Sequence, residues 1–334
     1  MNKFTSLVVV AVFSVLLTAC GEADDSAMIT LRVASWSQPI TEQINLLVEE
    51  KGFFTEQNIA IEFIPGAGGG DAIKNIASGK ADIAFTDPGS FFAALDKGEK
   101  LIALYDIYPH NVFNVVALKG SNITRPEDLK GKKIGVYSLA SGTRQNLLVL
   151  LQQAGLSADD VEIIPTGVLN FAPLMQGQVD ATAATDTGLA IAKARGLGAV
   201  DVLQVKEYFN YSSDLFVVTQ ATYEHKQAEL QAFLAGYKNS AKWMLENPQE
   251  AAQLAMKHAI DGKDPEHNLS IIQLRNASST PLSGDLAELG LIDFANLQEA
   301  ADMYYALGLI DKQLDLTRAV NYGSVLKQQV EADQ

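Results

Sequence analysis

One stretch of this sequence recurs about a hundred residues later, and that repetition limits what the chain can fold into. Val33-Ala34-Ser35-Trp36-Ser37 aligns with Ile134-Gly135-Val136-Tyr137-Ser138 at an offset of 101, and Asn45-Leu46-Leu47-Val48 with Asn146-Leu147-Leu148-Val149 at the same offset. Ile61-Glu62-Phe63-Ile64-Pro65 then matches Val161-Glu162-Ile163-Ile164-Pro165 at 100, and Gly79-Lys80-Ala81-Asp82 matches Gly177-Gln178-Val179-Asp180 at 98. Each copy continues through an apolar run into an acidic turn, Thr86-Asp87-Pro88-Gly89 in the first and Thr185-Asp186-Thr187-Gly188 in the second. Any βαβαβ unit carries Gly and Asp at its turns, so one match would mean little. Four matches in near-constant register predict two similar α/β lobes, and 334 residues are more than one core serves.

Within the second copy, Lys133-Ile134-Gly135-Val136 reads as a short buried strand and Asn146 to Leu151 as the apolar body of a helix. The turn between them, Ser138 to Thr143, is small and hydroxyl-rich. Its side chains can cap the helix, and its backbone N–H groups point out of the helix N-terminus into the space beyond the strand. The repeat therefore predicts two strand-to-helix binding loops.

Ahead of the repeats, Lys3 precedes an apolar run from Leu7 to Leu17, and Leu17-Thr18-Ala19-Cys20 follows. A run of that length fits the ~7–15 residues of an export signal and falls short of the ~20 that cross a bilayer. Residues 1–19 are expected to be a signal peptide. Cys20 is the only cysteine, so no intrachain disulfide can form in an oxidising compartment. Its position after small residues assigns it lipidation, with residues 20–28 as an acidic tether. The net charge of −15 opposes nucleic-acid binding, because phosphates would be repelled.

Strands are predicted at Ile29–Ser35, Ile59–Ile64, Ile83–Phe85, Leu101–Ile107, Phe113–Leu118 and Leu215–Thr219. A helix should follow the loop Trp36 to Pro39 and run to about Lys51, with Gly52 as its C-cap. Gly66 to Asp71 lacks the G-x-G-x-x-G spacing, and no G-x-x-x-x-G-K-[ST] occurs, so a strand-to-helix turn is expected there rather than a nucleotide loop. From Tyr223 the pattern is helical, with Trp243 in the core. Asn247-Pro248-Gln249-Glu250 is expected to be a capped helix start closed by a capping box. Phe113–Leu118 should carry the chain into the second lobe and Leu215–Thr219 should return it. Two crossings predict a hinge, and a hinge predicts a cleft that closes on a ligand. The expected lobes are 29–112 with 220–334, and 113–219.

An ordered set of motifs carries a family resemblance over nearly the whole chain. It comprises the lipobox at Cys20, Gly52-Phe53-Phe54, Ala77 to Ala84, Pro126-Glu127-Asp128-Leu129-Lys130-Gly131-Lys132-Lys133-Ile134-Gly135, Glu246 to Ala252 and Tyr304 to Ile310. The chain resembles the substrate-binding proteins of ABC importers for nitrate, sulfonates, taurine and thiamine-precursor pyrimidines. The resemblance implies an α/β two-lobe periplasmic-binding-protein fold of type II, with two crossover strands and helices on both faces of each sheet. It implies a monomer on the periplasmic side of the cell envelope that hands a small solute to a permease and its ATPase.

Ligands of open α/β sheets sit beyond the carboxyl ends of the strands, so both binding loops and both acidic turns should border one cavity. That nominates Trp36, Ser37, Gln38 and Asp87 from the first lobe, and Ser138, Ser141, Gly142, Thr143 and Asp186 from the second. Asn114 on the crossing strand and Tyr211 near the return strand complete the set. Asp87 and Asp186 are equally readable as turn residues, Trp36 as a rim residue, and Ser141 and Thr143 as caps. Strand alternation turns Tyr137 away from Ser138, into its own lobe. An oxyanion would suit the hydroxyls and N–H groups of Ser138 to Thr143. An amino-substituted heterocycle would suit Trp36 as a stacking plate and the two aspartates as acceptors. Two carboxylates repel an anion, so the expected solute is a heterocycle of the thiamine-precursor pyrimidine type, with a sulfonate, taurine or nitrate-like oxyanion as the alternative and a non-transport sensor lipoprotein as a further one.

No enzyme is expected. The four histidines show no metal-ligand spacing, no G-x-S-x-G elbow is present, and a lipidated Cys20 leaves no thiol nucleophile. Fungal relatives of the fold that synthesise the thiamine pyrimidine carry a cysteine-rich signature absent from this sequence. No cofactor or metal is expected.

Overall fold

The structure is a computed structural model describing residues 28–167, 170–321 and 323. The expected leader, the lipidation of Cys20 and the tether up to residue 27 lie outside those residues.

β1 (Ile29–Ala34) pairs parallel with β2 (Ile59–Ile64), from Ile29 opposite Ile59 to Ala34 opposite Ile64. Between them the expected long helix shrinks to α1 (Ile44–Leu47), and Val48 is already extended. Tertiary contacts outweigh the helical pattern here: the N–H and hydroxyl of Thr41 both donate to Asp261, 220 residues downstream, at 2.8 and 2.9 Å. Gly52 has the positive φ of a C-cap but opens a 3-10 turn at Thr55–Gln57 instead. Next, α2 (Gly69–Ala77) leads to β3 (Ile83–Thr86) on the other side of β1, and α3 (Pro88–Asp96) to β4 (Leu101–Tyr108).

The chain then crosses. β5 (Phe113–Leu118), β6 (Lys133–Val136), α4 (Gly142–Gln153), β7 (Glu162–Pro165), α5 (Phe171–Met175), β8 (Ala181–Thr185), α6 (Asp186–Ala194) and β9 (Val200–Gln204) form the second lobe. β10 (Asp214–Thr219) returns. The sheets are ordered β2-β1-β3-β10-β4 and β7-β6-β8-β5-β9. Each takes its fourth, antiparallel strand from the crossing, so the halves share one topology. The 113–219 boundary needs a correction: β10 bonds between β3 and β4, with Leu215 opposite both Thr86 and Asp106, so the first sheet resumes at Asp214.

The sequence repeat is a structural repeat at the level of single hydrogen bonds. Asp82 donates its N–H to the Arg32 carbonyl and accepts the Arg32 N–H on its carboxylate, at 2.8 and 2.9 Å. Asp180 makes the same pair of bonds with Lys133, both at 2.8 Å, 101 positions beyond Arg32. The Gly-x-x-Asp motif thus ties the start of the third strand of each repeat to its first. In the first lobe, burial opposes the charge of Asp82, but bonds from Arg32 and Lys226 hold its carboxyl at about 2.

The remaining helices pack mainly on the first lobe: α7 (Gln220–His225), α8 (Gln227–Glu246), α9 (Pro248–His258), α10 (Pro265–Ser279) and α11 (Phe294–Ala306). Phe216 of β10 meets Phe233 and Tyr237 of α8 edge-on, with ring centroids 5.1 and 4.6 Å apart. Trp243 is buried, as expected. The capping box at Asn247 does not form. Asn247 donates back to the Trp243 carbonyl, and Glu250 is drawn to the Trp243 indole N–H and to Lys51.

Asp82→Ala should lower the unfolding free energy in urea by about 2–3 kcal/mol, because charge-assisted bonds donated to a buried carboxylate are lost. Asp180→Ala, at an exposed position, should cost about 1 kcal/mol or less.

Candidate functional site

Two chain segments join the lobes, and they are stitched to each other. The Ser213 N–H donates to the Tyr108 carbonyl at 2.8 Å, its hydroxyl donates to His110 O at 2.6 Å, and the same hydroxyl accepts the Val112 N–H at 3.0 Å. Asn111 donates to the Phe209 carbonyl and to Asn146, both at 2.9 Å. This is a two-stranded hinge whose partners are mostly backbone groups, so the side chains of the cleft are free for other work.

The cleft is shut along two seams. On one side the Gly70 N–H donates to the Ala140 carbonyl at 2.9 Å, and the Ser138 hydroxyl donates to the Ala67 carbonyl. On the other, Arg275 of α10, 1% exposed, holds Glu42 through Nε at 2.7 Å and Asp186 through Nη2 at 2.6 Å. Nη2 also donates to Thr187 Oγ1 at 2.8 Å, and that hydroxyl donates to Glu42 at 2.6 Å. Burial opposes the charge of Arg275, yet Asp186 and Glu42 together raise its pKa above that of a free guanidinium. The guanidinium lies 5.0 Å from the ring centre of Tyr108. One cation therefore binds the first lobe to the N-terminus of α6 in the second.

Between the seams lies a cavity of about 260 Å³. Seven of the expected residues line it: Trp36, Ser37, Gln38, Asp87, Ser141, Gly142 and Thr143. Four do not. Ser138 lies in the seam, and Asp186 is spent on Arg275. Asn114 turns its amide to the carbonyl of Val112, just ahead of β5, at 3.1 Å. Tyr211 packs on Phe209 in the core, with ring centroids 4.5 Å apart. Tyr137, expected to point into its own lobe, lines the cavity, because β6 ends at Val136 and strict alternation ends with it.

Close approach of the loops is what closes the space. A Cβ on Gly69 would lie 2.3 Å from Asp87 Oδ2, and one on Gly142 would lie 2.8 Å from Phe113 and 3.0 Å from Asp87. Both positions must be glycine for Asp87 to stand between the lobes. The hydroxyls in the second loop are already committed: Ser141 Oγ donates to the Ser138 carbonyl at 2.7 Å and contacts Thr143 Oγ1 at 2.7 Å, and Thr143 accepts the Tyr137 N–H at 3.0 Å.

Four carboxylates line the cavity: Glu42, Asp87, Asp214 and Asp261. Against them stands one lining cation, the exposed Arg195. Asp87 is both cap and cavity wall, accepting the Ser90 N–H and hydroxyl at 2.8 Å each while burial pushes its carboxyl up to about 6. Burial, followed by the charge of Asp87, raises Asp214 well above its ordinary value, with Arg275 opposing. Trp36 lines the same space and meets Phe85 edge-on, while its indole N–H is buried with no hydrogen-bond partner among the described residues.

Sequence reasoning missed Glu42, Asp214, Asp261 and Asn170 as cavity residues. Glu42 and Asp261 come from segments outside the repeated loops, and Asp214 was hidden by a return strand placed to begin one residue later. Gly68 and Gly69 belong to the glycine run at Gly66–Asp71, so that run was a visible signal of close approach.

Paired sheets of the same order, two crossing strands and a cavity closed between the lobes define a periplasmic-binding-protein fold. The chain belongs to the NMT1/THI5 like family, which residues 42–251 match. A putative thiamine biosynthesis protein of Haemophilus influenzae is 27% identical over 81% of this chain and 84% of its own. A formylaminopyrimidine-binding protein of Halalkalibacterium halodurans is 23% identical over 86% of this chain and 90% of its own. Among solved structures, an alkanesulfonate-binding protein of Xanthomonas axonopodis bound to MOPS superposes with a TM-score of 0.69 at 18% identity, covering 87% of this chain and 98% of that one. At that identity the structural match speaks for the fold.

Arg275→Ala should destabilise the protein by roughly 3–5 kcal/mol, because Glu42 is left as a buried unpaired charge. Asp186→Asn should cost less, since Asp186 is 30% exposed; chemical denaturation of both variants tests the order.

The buried acids also set a pH dependence. Asp87, at about 6, and Asp106, buried beside Ser212 and pushed up to about 7, both lie above their ordinary value of 3.8. The folded chain holds these protons more tightly than the unfolded one, so their contribution to stability is fullest below about 4 and is lost as pH rises to about 7. Each contributes at most roughly 3–4 kcal/mol. The ligand-free protein should melt at a lower temperature at pH 8 than at pH 5, and Asp106→Asn should flatten that difference.

Proposed function

We propose that this protein is the extracytoplasmic solute-binding component of an ABC importer, and that it captures a small nitrogenous heterocycle of the thiamine-precursor pyrimidine type. The observation that carries the ligand class is the polarity of the cavity: four carboxylates and the aromatic plate of Trp36 against one exposed arginine. An amino group donates to carboxyl oxygens whether or not they are ionised, whereas an oxyanion meets the repulsion of those that are. A cavity near 260 Å³ is at the small end of the ~300–1,000 Å³ usual for ligand sites, which suits one substituted ring. The named binding activity of the formylaminopyrimidine-binding relative supports the same class.

Capture works by closure. The ligand enters between open lobes, the hinge around Ser213 bends, and the seams at Ala140 and Arg275 form over it. Delivery to a permease and its ATPase follows from lobe opening, with the protein held at the membrane through lipid on Cys20.

A second reading takes a sulfonate or similar oxyanion. It is favoured by the N-terminus of α4, where Ser141, Gly142 and Thr143 face the cavity, and by Arg195 at its edge.

Thermal shift and calorimetry with 4-amino-2-methylpyrimidine, methanesulfonate, taurine and nitrate separate the two. The pyrimidine at 100 times its Kd should add about 2.7 kcal/mol of apparent stability, and the anions little. Trp36→Phe should weaken pyrimidine binding by about 1–2 kcal/mol. Binding of the sulfonate alone would overturn the heterocycle reading.

A further inference from the structure

Asp214 is the most exceptional group in the cavity. It is the first residue of β10, at the point where the chain returns from the hinge, and the β10–β4 pairing shifts register between Asp214 and Leu215. Its side chain is 6% exposed and lines the cavity. The other lining acids are all occupied: Glu42 by Arg275 and Thr187, Asp87 by Ser90, Asp261 by Thr41. Asp214 has no hydrogen-bond partner for its carboxyl among the described residues. A carboxyl that lines a cavity and meets no protein donor takes its partner from whatever fills that cavity.

We infer that Asp214 is the specificity-determining residue of the site, reading the edge of an aminopyrimidine formed by its amino group and the adjacent ring nitrogen. The inference rests on the heterocycle reading and refines it. One carboxyl oxygen accepts the amino N–H. The other oxygen and the ring nitrogen share a single proton between them, whichever atom holds it, so both points are satisfied and no charge is stranded.

The surroundings keep that proton in place. The charged and titratable groups that face Asp214 are Asp87 at the start of α3, Glu42 beside α1, Arg275 on α10, Asp106 and Tyr108 on β4, and Tyr237 on α8. Three are acids whose charge disfavours a second anion, and Arg275 is held by Glu42 and Asp186 rather than by Asp214. Burial acts in the same direction, raising the carboxyl well above its ordinary value. A carboxyl that retains its proton presents a donor beside an acceptor, which is the complement of an amino group beside a ring nitrogen. A neutral carboxyl can pair with the ring N–H and carbonyl of a pyrimidinone as well, so the preference for the amino compound comes from its basic ring nitrogen, which can take the shared proton and face the resulting carboxylate as a cation, as a pyrimidinone cannot.

Asp214→Asn tests this by changing the pattern without changing the shape. The amide can turn its carbonyl and NH₂ to pair with either edge and has no proton to share with the ring nitrogen, so it accepts the pyrimidinone as well as the amino compound. Calorimetry would compare 4-amino-2-methylpyrimidine with 2-methylpyrimidin-4-one on the wild type and the variant. The wild type should prefer the amino compound at least 100-fold, and Asp214→Asn should reduce that ratio at least tenfold or invert it. Should Asp214→Asn fail to fold, as judged by its melting transition, Asp214→Ser removes the two-point contact and should likewise lose the preference. A wild type that prefers the amino compound while both folded variants keep the full preference would overturn the role of Asp214 alone. A wild type that binds neither pyrimidine but binds methanesulfonate would overturn the heterocycle reading and this one with it.

Discussion

A single buried guanidinium holds the closed shape together. Arg275 comes from the C-terminal helices, Glu42 from the turn just ahead of α1 and Asp186 from the second lobe, so three distant parts of the chain meet at one charge. An ion pair so fully removed from water is a poor source of stability by itself, since desolvation offsets most of its attraction. What it provides is geometry. The acids satisfy the arginine only when the lobes face each other at one separation, and Thr187 adds a hydroxyl that joins both sides. The network is then both a seam and a gauge for the cavity next to it.

The same network explains how a duplicated architecture produces an asymmetric site. The acidic turns of the two copies occupy equivalent positions after equivalent strands. Asp87 caps α3 and faces the cavity. In the other copy Thr185 takes the capping role, which frees Asp186 one position later to reach Arg275. One residue of displacement converts a ligand wall into a structural clasp. The loops diverge likewise: Trp36 brings a large aromatic surface, while Tyr137 and the small residues after it bring hydroxyls and amides.

Much of this was legible in the sequence. The repeat gave two lobes, because Gly-x-x-Asp and the strand-to-helix turns are local devices whose hydrogen bonds span one βαβ unit, as the matching bonds of Asp82 and Asp180 attest. Loop residues such as Trp36, Asp87 and Thr143 could be found for the same reason. What could not be read were contacts made at long separation. Thr41 meets Asp261 and thereby cuts short a helix that the local pattern favours. Glu250 leaves a well-formed capping motif for Trp243 and Lys51. Asp214 enters the cavity because of where a returning strand begins, and that depends on pairing with β3 and β4 more than a hundred residues earlier.

The most direct measurement is the identity of the molecule the protein carries. Protein isolated from its own cells, washed and then denatured should release a compact, amine-bearing nitrogen heterocycle detectable by mass spectrometry. Recovery of a sulfonate or another oxyanion from the cleft would contradict a site built from buried carboxyls.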